Sequence, residues 1–422
     1  MLICDHFGDR PLPRRASTVG AVSLLAVFGS ALAAAPAFAD SAVAWGFNSA
    51  GQLGIGPPGS VLSRLSPVPV NGLASGVSAV AAGSFFSLAI QNGAALAWGG
   101  NGNGQIGNGA LTNVNVPVQV TGLTSGVTAI AGGNQHALAI QSGGVLAWGL
   151  NSSGQLGDGT LTRRTSPVPV TGLTSGVTAI AAGTVHSLAL QNGAVSAWGN
   201  NNFGQLGNGT IDGSATPVPV SGLGSGVTAI FGAGFHSMAI RNGAVWAWGN
   251  NTFGKLGDGT TNNASTPVQV SGLTSGVTAI AGGVNHSLAI QNGDVFAWGS
   301  NAFGQLGTGG SASDVYVPTR VLDLPVNLVA VAATNASSFA LSSDGSLWAW
   351  GSNSLGQLGL GDTTNRLTPT QLFAPAGYVF TSIDGDAVSS HVVATIALVP
   401  SPGATGLLFV GGLIAQRRRT RT

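Results

Sequence analysis

Residues 275–307 read Ser-Gly-Val-Thr-Ala-Ile-Ala-Gly-Gly-Val-Asn-His-Ser-Leu-Ala-Ile-Gln-Asn-Gly-Asp-Val-Phe-Ala-Trp-Gly-Ser-Asn-Ala-Phe-Gly-Gln-Leu-Gly, and this unit decides the fold. Val277–Ala281 and Ser287–Ile290 are short runs of β-branched and small apolar residues bounded by glycine, which suit buried strands and are too short for useful helices. Asn292-Gly293 is a hairpin signal, because both residues tolerate positive φ. It recurs at Asn92-Gly93, Asn192-Gly193 and Asn242-Gly243 and joins the second strand of a unit to its third. Proline cannot donate to a central ladder. The stretches Pro67-Val68-Pro69-Val70, Pro167-Val168-Pro169-Val170 and Pro267-Val268-Gln269-Val270 therefore predict a fourth strand at an outer edge.

Working outward, Trp-Gly pairs stand at Trp45, Trp98, Trp148, Trp198, Trp248, Trp298 and Trp350, at successive intervals of 53, 50, 50, 50, 50 and 52 residues. A fixed period of this length marks a repeat architecture. Four strands per unit, seven times over, predict an all-β fold: a seven-bladed β-propeller whose closed ring hides the ends that an open stack would expose. The chain after Asp40 opens directly on Ala42-Val43-Ala44-Trp45-Gly46, a unit without its first two strands. Val379–Ile383 with Gly385, then Val392–Leu398, supply the missing pair, so the first and last segments are expected to share one blade.

These residues resemble the regulator of chromosome condensation repeat family over roughly residues 41 to 398. The pattern of apolar strand, Gly, His-Ser, Gly, Trp-Gly and Gly-Gln-Leu-Gly carries the resemblance. Gly-Gln-Leu-Gly itself stands at 51–54, 154–157, 204–207, 304–307 and 356–359, with Ile106 and Lys255 as single replacements elsewhere. The nuclear member of the family performs guanine-nucleotide exchange on a small GTPase. Residues 175–183 and 195–199 also resemble units of a secreted bacterial β-lactamase inhibitor propeller.

Composition bounds the function. Of 422 residues, 68 are glycine and only 6% are charged, so water must be met mainly by Asn, Gln, Ser, Thr and backbone. Residues 40–398 hold seven basic against eleven acidic residues, which argues against a nucleic-acid partner. The single cysteine, Cys4, precedes this region, so it holds no disulfide or Cys-ligated metal.

The ends point to export. Arg14-Arg15 precedes an apolar run from Val19 to Ala35, and Ala37-Phe38-Ala39 has the small-x-small form that a signal peptidase accepts. Residues 1–39 are thus expected to be a signal peptide, 40–398 the propeller and 399–422 a sorting tail. Val399-Pro400-Ser401-Pro402-Gly403, an apolar stretch to Ala415 and Arg417-Arg418-Arg419 resemble the bacterial PEP-CTERM signal, with Ser401 where that family carries glutamate. Read together, the ends and the ring predict a non-catalytic, monomeric propeller exported to the envelope or beyond. It would make transient membrane contact through its tail and bind an extracellular protein or glycan partner, as an inhibitor-like special case would. No cofactor or metal is expected. The competing readings are nucleotide exchange and a polysaccharide-active enzyme.

Candidate residues follow from variation on a fixed frame. The two residues before each histidine, as in Asn134-Gln135, Thr184-Val185 and Gly234-Phe235, lie on strand-connecting loops, where partner contacts concentrate. Phe85, Asn134, Gln135, Phe235 and Asn285 are candidates on this ground. Phe203, Phe253 and Phe303 join them because the same loop position holds Ala50, Asn103, Ser153 and Leu355 in other units. His136, His186, His236 and His286 recur once per unit and could face a common axis as metal ligands. A buried hydrogen-bonding role fits them better, since the matching places hold Phe86 and Ser337. The tryptophans read as packing between blades. Asp158, Asp258 and Asp362 sit in glycine turns that Asx hydrogen bonds explain without calcium. No glutamate exists and no catalytic constellation is visible.

Overall fold

The computed structural model describes residues 40–56, 62–311 and 313–399. It consists of seven four-stranded antiparallel sheets. Six are formed by consecutive strands, as in the second blade: β3 (Val77–Ala82), β4 (Phe86–Gln91), β5 (Ala94–Gly99) and β6 (Val114–Gln119). The remaining sheet, the first blade, has the order β2-β1-β28-β27, with β1 (Ser41–Phe47) and β2 (Ser63–Pro69) from the start of the chain and β27 (Tyr378–Asp384) and β28 (His391–Leu398) from its end. Seven blades and the shared closing blade are as the sequence predicts. The outer strands begin earlier than their prolines: β2 starts at Ser63 and stops at Pro69, leaving Val70 buried just beyond it.

Each inner strand neighbours the inner strand of the next blade right round the ring. The repeat carries its own reason for this shape. Leu88, Ala97 and Trp98 and their counterparts are fully buried between sheets, because strands covered on both faces must be apolar on both. The glycine of each Trp-Gly pair sits at a bulge between the third and fourth strands. Gly99 has φ +106°, and a Cβ there would stand 2.5 Å from the Phe85 carbonyl oxygen and 2.7 Å from Phe86 Cα. Only glycine lets the chain pass so close.

Antiparallel order gives the ring two unlike rims. One carries the near-identical Asn-Gly hairpins, whose asparagines take φ near +52°. The other carries the loops from first to second strand and the long loops from third to fourth strand. All eight candidate residues lie on this second rim.

Candidate functional site

Under the second rim runs a joint repeated from blade to blade. The backbone carbonyl of Gln52 in the first blade accepts from Trp98 Nε1 (2.8 Å) and Ser87 Oγ (2.8 Å) of the second. The carbonyls of Gln155, Gln205, Lys255 and Gln305 each receive the same two donors. Because Ser87 Oγ spends its proton on Gln52, it must accept from His391 Nε2, 2.8 Å away in the first blade. His136, His186, His236 and His286 reach Ser187, Ser237, Ser287 and Ser338 of the next blade in the same way at 2.9–3.0 Å. The network thus fixes the Nε2–H tautomer. Each Nδ1 is buried without a partner among the described residues. In three blades it lies against Gly133, Gly183 or Gly283, where a methyl group would overlap the ring.

These histidines are joints between blades, and His391 is a fifth member that the sequence reading did not group with the others. Burial holds His136 down to about 4 and His186, His286 and His391 to about 3; His236 is also well below its ordinary value, so all five are neutral near pH 7. Where the joint lacks its histidine it also lacks its serine. Phe86 faces Ala137, packed in one cluster, and Ser337 instead donates to the Ser352 carbonyl while Val392 stands in the place of the next serine. A buried imidazole N–H without an acceptor is thereby avoided on both occasions.

The candidate residues sit at the top of these joints, where the long loop of one blade meets the short loop of the next. Phe203 packs edge-on against Phe235 with centroids 5.6 Å apart, and Phe85 against Phe47 at 6.4 Å. Asn103 Nδ2 donates to Gln135 Oε1 at 2.8 Å. Asn134 is half-buried and Asn285 Oδ1 accepts from Lys255. Phe253, Phe303 and Phe85 remain exposed at 38%, 47% and 42%. The three turn aspartates accept from neighbouring Asn and Thr groups, and Asp158 and Asp362 also pair with Arg164 and Arg366 at 2.7 and 2.6 Å.

Lys255 alters its loop. In the other six units Gln Oε1 accepts from the backbone N–H two residues earlier, as Gln205 does from Phe203 at 2.9 Å. An ammonium cannot accept. Lys255 Nζ instead donates to the Val284 carbonyl (3.1 Å) and Asn285 Oδ1 (2.9 Å), and Phe253 turns to φ +67°. Burial lowers the Lys255 amine to about 8. Lys255→Gln is expected to restore the missing bond and a negative φ, stabilising the fold by about 1–2 kcal/mol in urea titrations.

Sequence reasoning also missed Asp384 and Asp386, two residues apart at the end of β27. Asp384 Oδ2 accepts from Ala82 N at 2.8 Å, and burial raises this carboxyl to about 7. Asp386 is 5% exposed and held well above the usual carboxylate range by burial, with Asp384 adding to the shift.

The fold is shared with human WBSCR16 (TM-score 0.76, 23% identity, covering 86% of this chain and all of that one). It is shared equally with Prp20p of Saccharomyces cerevisiae, a protein characterised for binding Gsp1p and histones (TM-score 0.75, 22% identity, 89% and 95% covered). The yeast protein is also known bound to Kap60 (TM-score 0.77, 22% identity, 97% and 99% covered). No curated protein matches the sequence.

These relatives correct the reading of a bacterial exported protein. Its address at the envelope or outside the cell, its extracellular protein or glycan partner, its non-catalytic role and its PEP-CTERM-like tail all give way to a likeness with proteins whose recorded partners are Gsp1p, histones and Kap60. The export argument came from the chain ends and not from the ring, whose surface chooses partners. Of those end residues only Val399 is described, its N–H donating to the Gly377 carbonyl at 2.9 Å. Ala37, Ala39, Pro400, Pro402, Gly403, Arg417, Arg418 and Arg419 lie outside the described residues. The family model for the regulator of chromosome condensation (RCC1) repeat matches residues 43–90, 92–140, 142–190, 192–240, 242–290, 292–341 and 344–394. With seven matched repeats covering the ring almost without a gap, the chain belongs to the RCC1 repeat family.

Proposed function

We propose that this protein is a guanine-nucleotide exchange factor that holds a small GTPase against the rim bearing the candidate residues. The reading is supported first by likeness round the whole ring to Prp20p, for which Gsp1p binding is recorded. The second support is that variation between blades concentrates on this rim while the opposite one repeats Asn-Gly hairpins.

The chemistry is compatible with a site that has no nucleophile or general base. Exchange breaks no covalent bond. A factor accelerates it by binding the nucleotide-free GTPase more tightly than the loaded one, and linkage then weakens the nucleotide by the same ratio. A rigid ring with mobile-sized side chains such as Phe85 and Phe303 on its rim supplies the contact surface.

The test is release of a fluorescent GDP analogue from Gsp1p. Full-length protein at a tenth of the GTPase concentration is expected to speed release at least tenfold, on the order of 1.4 kcal/mol in the barrier. Release at the spontaneous rate with the protein in excess would remove the proposal.

A further inference from the structure

The variable rim is not uniform round the ring. The glycine of each Gly-Gln-Leu-Gly loop presses on the start of the next blade's outer strand. In four blades the residue met there is Asn115, Thr165, Ala215 or Ser265; in the other three it is Tyr316, Leu367 or Leu65. The residue preceding the glycine changes in step. Ala50, Asn103 and Ser153 accompany Asn115, Thr165 and Ala215, whereas Phe253, Phe303 and Leu355 accompany Tyr316, Leu367 and Leu65. Phe203 stands between the two sets and is half-buried against Phe235. The result is an arc from the fifth blade to the seventh in which Phe253, Tyr316, Phe303 and Leu367 are 38%, 44%, 47% and 38% exposed. Exposed large apolar side chains on successive loops of this kind serve as contact anchors. On the far side Leu111, Leu161 and Ile211 are exposed too, but one per loop tip and beside threonines.

Charge bordering the arc is acidic in balance, since Arg366 beside Leu367 is matched by its partner Asp362. Among the described residues the ion pairs are Arg164–Asp158, Arg320–Asp294 and Arg366–Asp362. Asp258 occupies the same turn position as Asp158, yet Ala264 stands where Arg164 stands, so this carboxylate has no guanidinium. Exposed Asp314 contributes a second carboxylate, which accepts from Asn301 N at 3.3 Å. Lys255 offers no compensation at the surface, being 1% exposed.

We infer that this arc is where the partner docks, off the ring axis, and that it takes an apolar segment flanked by arginine or lysine. The inference rests on the exchange reading for the identity of the partner but not for the chemistry of the surface. Aromatic side chains would bury against the segment while Asp258 and Asp314 meet its cations at the border.

Two arms test it on the full chain. In the first, Phe253→Ser, Phe303→Ser and Tyr316→Thr are combined, each installing a residue type that another blade already carries, and Gsp1p is the probe. Nucleotide release is expected to fall at least tenfold, while Leu111→Ser, Leu161→Ser and Ile211→Ser together change it less than twofold. In the second arm a fluorescein-labelled Arg-Leu-Phe-Leu-Arg peptide is compared with its Asp-flanked twin by anisotropy. The basic peptide is expected to bind the wild type at least tenfold more tightly than the twin does, and to lose that advantage on the triple arc variant. Equal binding of the two peptides, or binding indifferent to the arc substitutions, overturns the inference. If wild type leaves Gsp1p unaffected, the exchange reading falls and the peptide arm still decides the arc. Thermal melts of both triple variants within a few degrees of wild type certify folding.

Discussion

A chain beginning at residue 48 is expected to show no cooperative thermal transition, although it lacks only one of the strands described above. β1 is the third strand of the closing blade, paired with β28 from Ser41↔Ile396 to Gly46↔His391 and with β2 on its other side. Without it β2 has no partner and β28 becomes an open edge, so the ring cannot shut. Trp45 goes with it. This side chain is fully buried, bonds the Gln357 carbonyl through Nε1 at 2.9 Å, and lies edge-on to Phe339 and Phe380 at 6.5 and 6.1 Å. Loss of such a tryptophan alone costs about 3–5 kcal/mol. Adding the lost ladder on both edges exceeds the ~5–15 kcal/mol that holds a typical domain. Scanning calorimetry with size-exclusion chromatography is the check: a monomeric peak with a full-amplitude transition within a few degrees of wild type would show that the clasp is dispensable.

Acid is expected to unfold the protein over a narrow range below pH 6. The five joint histidines are neutral in the fold, with His136 held down to about 4 and His186, His286 and His391 to about 3. Unfolded, each returns to about 6.5. Between these values the unfolded chain binds more protons than the folded one, so stability is complete above about pH 6.5 and drains as pH falls. Each unit of depression corresponds to about 1.4 kcal/mol, and several histidines act together. Asp384 works in the opposite sense. Its carboxyl is raised to about 7, so it is protonated in the fold where the unfolded group is ionised, and its contribution declines as pH rises from about 4 to 7. The five histidines outweigh the one carboxyl across this range, so stability climbs from acid to neutral pH. Urea midpoints measured from pH 4 to 9 test this. Asp384→Asn is expected to steepen the climb between about pH 4 and 7, because the opposing carboxyl is gone; a midpoint independent of pH between 4 and 6.5 would mean that the joints tolerate imidazolium.

Most of the architecture was legible because one unit is written seven times and each element in it has a local cause. Asn-Gly requires a hairpin, Trp-Gly a buried ring followed by a bulge, and the half unit at each end requires a shared blade. What was not legible depends on distance between sheets. His136 and Ser187 are 51 residues apart, and nothing in either unit alone shows that one serves the other. The paired loss of His and Ser at Phe86/Ala137 was visible in the sequence, but its meaning needs the neighbouring blade. Lys255 was visible as a single exception, whereas its effect on Phe253 φ needs the loop geometry. Asp384 and Asp386 fall in a unit that departs from the consensus, so no period drew attention to them. Address and partner were misjudged because the segments outside the ring were weighed more than the ring itself.

The inter-blade joint also has a direction. At five of the seven joints one blade offers a carbonyl acceptor and an imidazole donor and the next presents an indole and a hydroxyl, so neighbours meet by unlike surfaces, as subunits do in a rotationally closed oligomer. A serine-bearing unit that follows one histidine-bearing blade can follow any other. Such a chain can grow by tandem duplication without inventing a new contact, and its sevenfold count is then set by the wedge angle at the joint. New termini cut into any hairpin should find the same welcome, provided two half-blades remain to be stitched together.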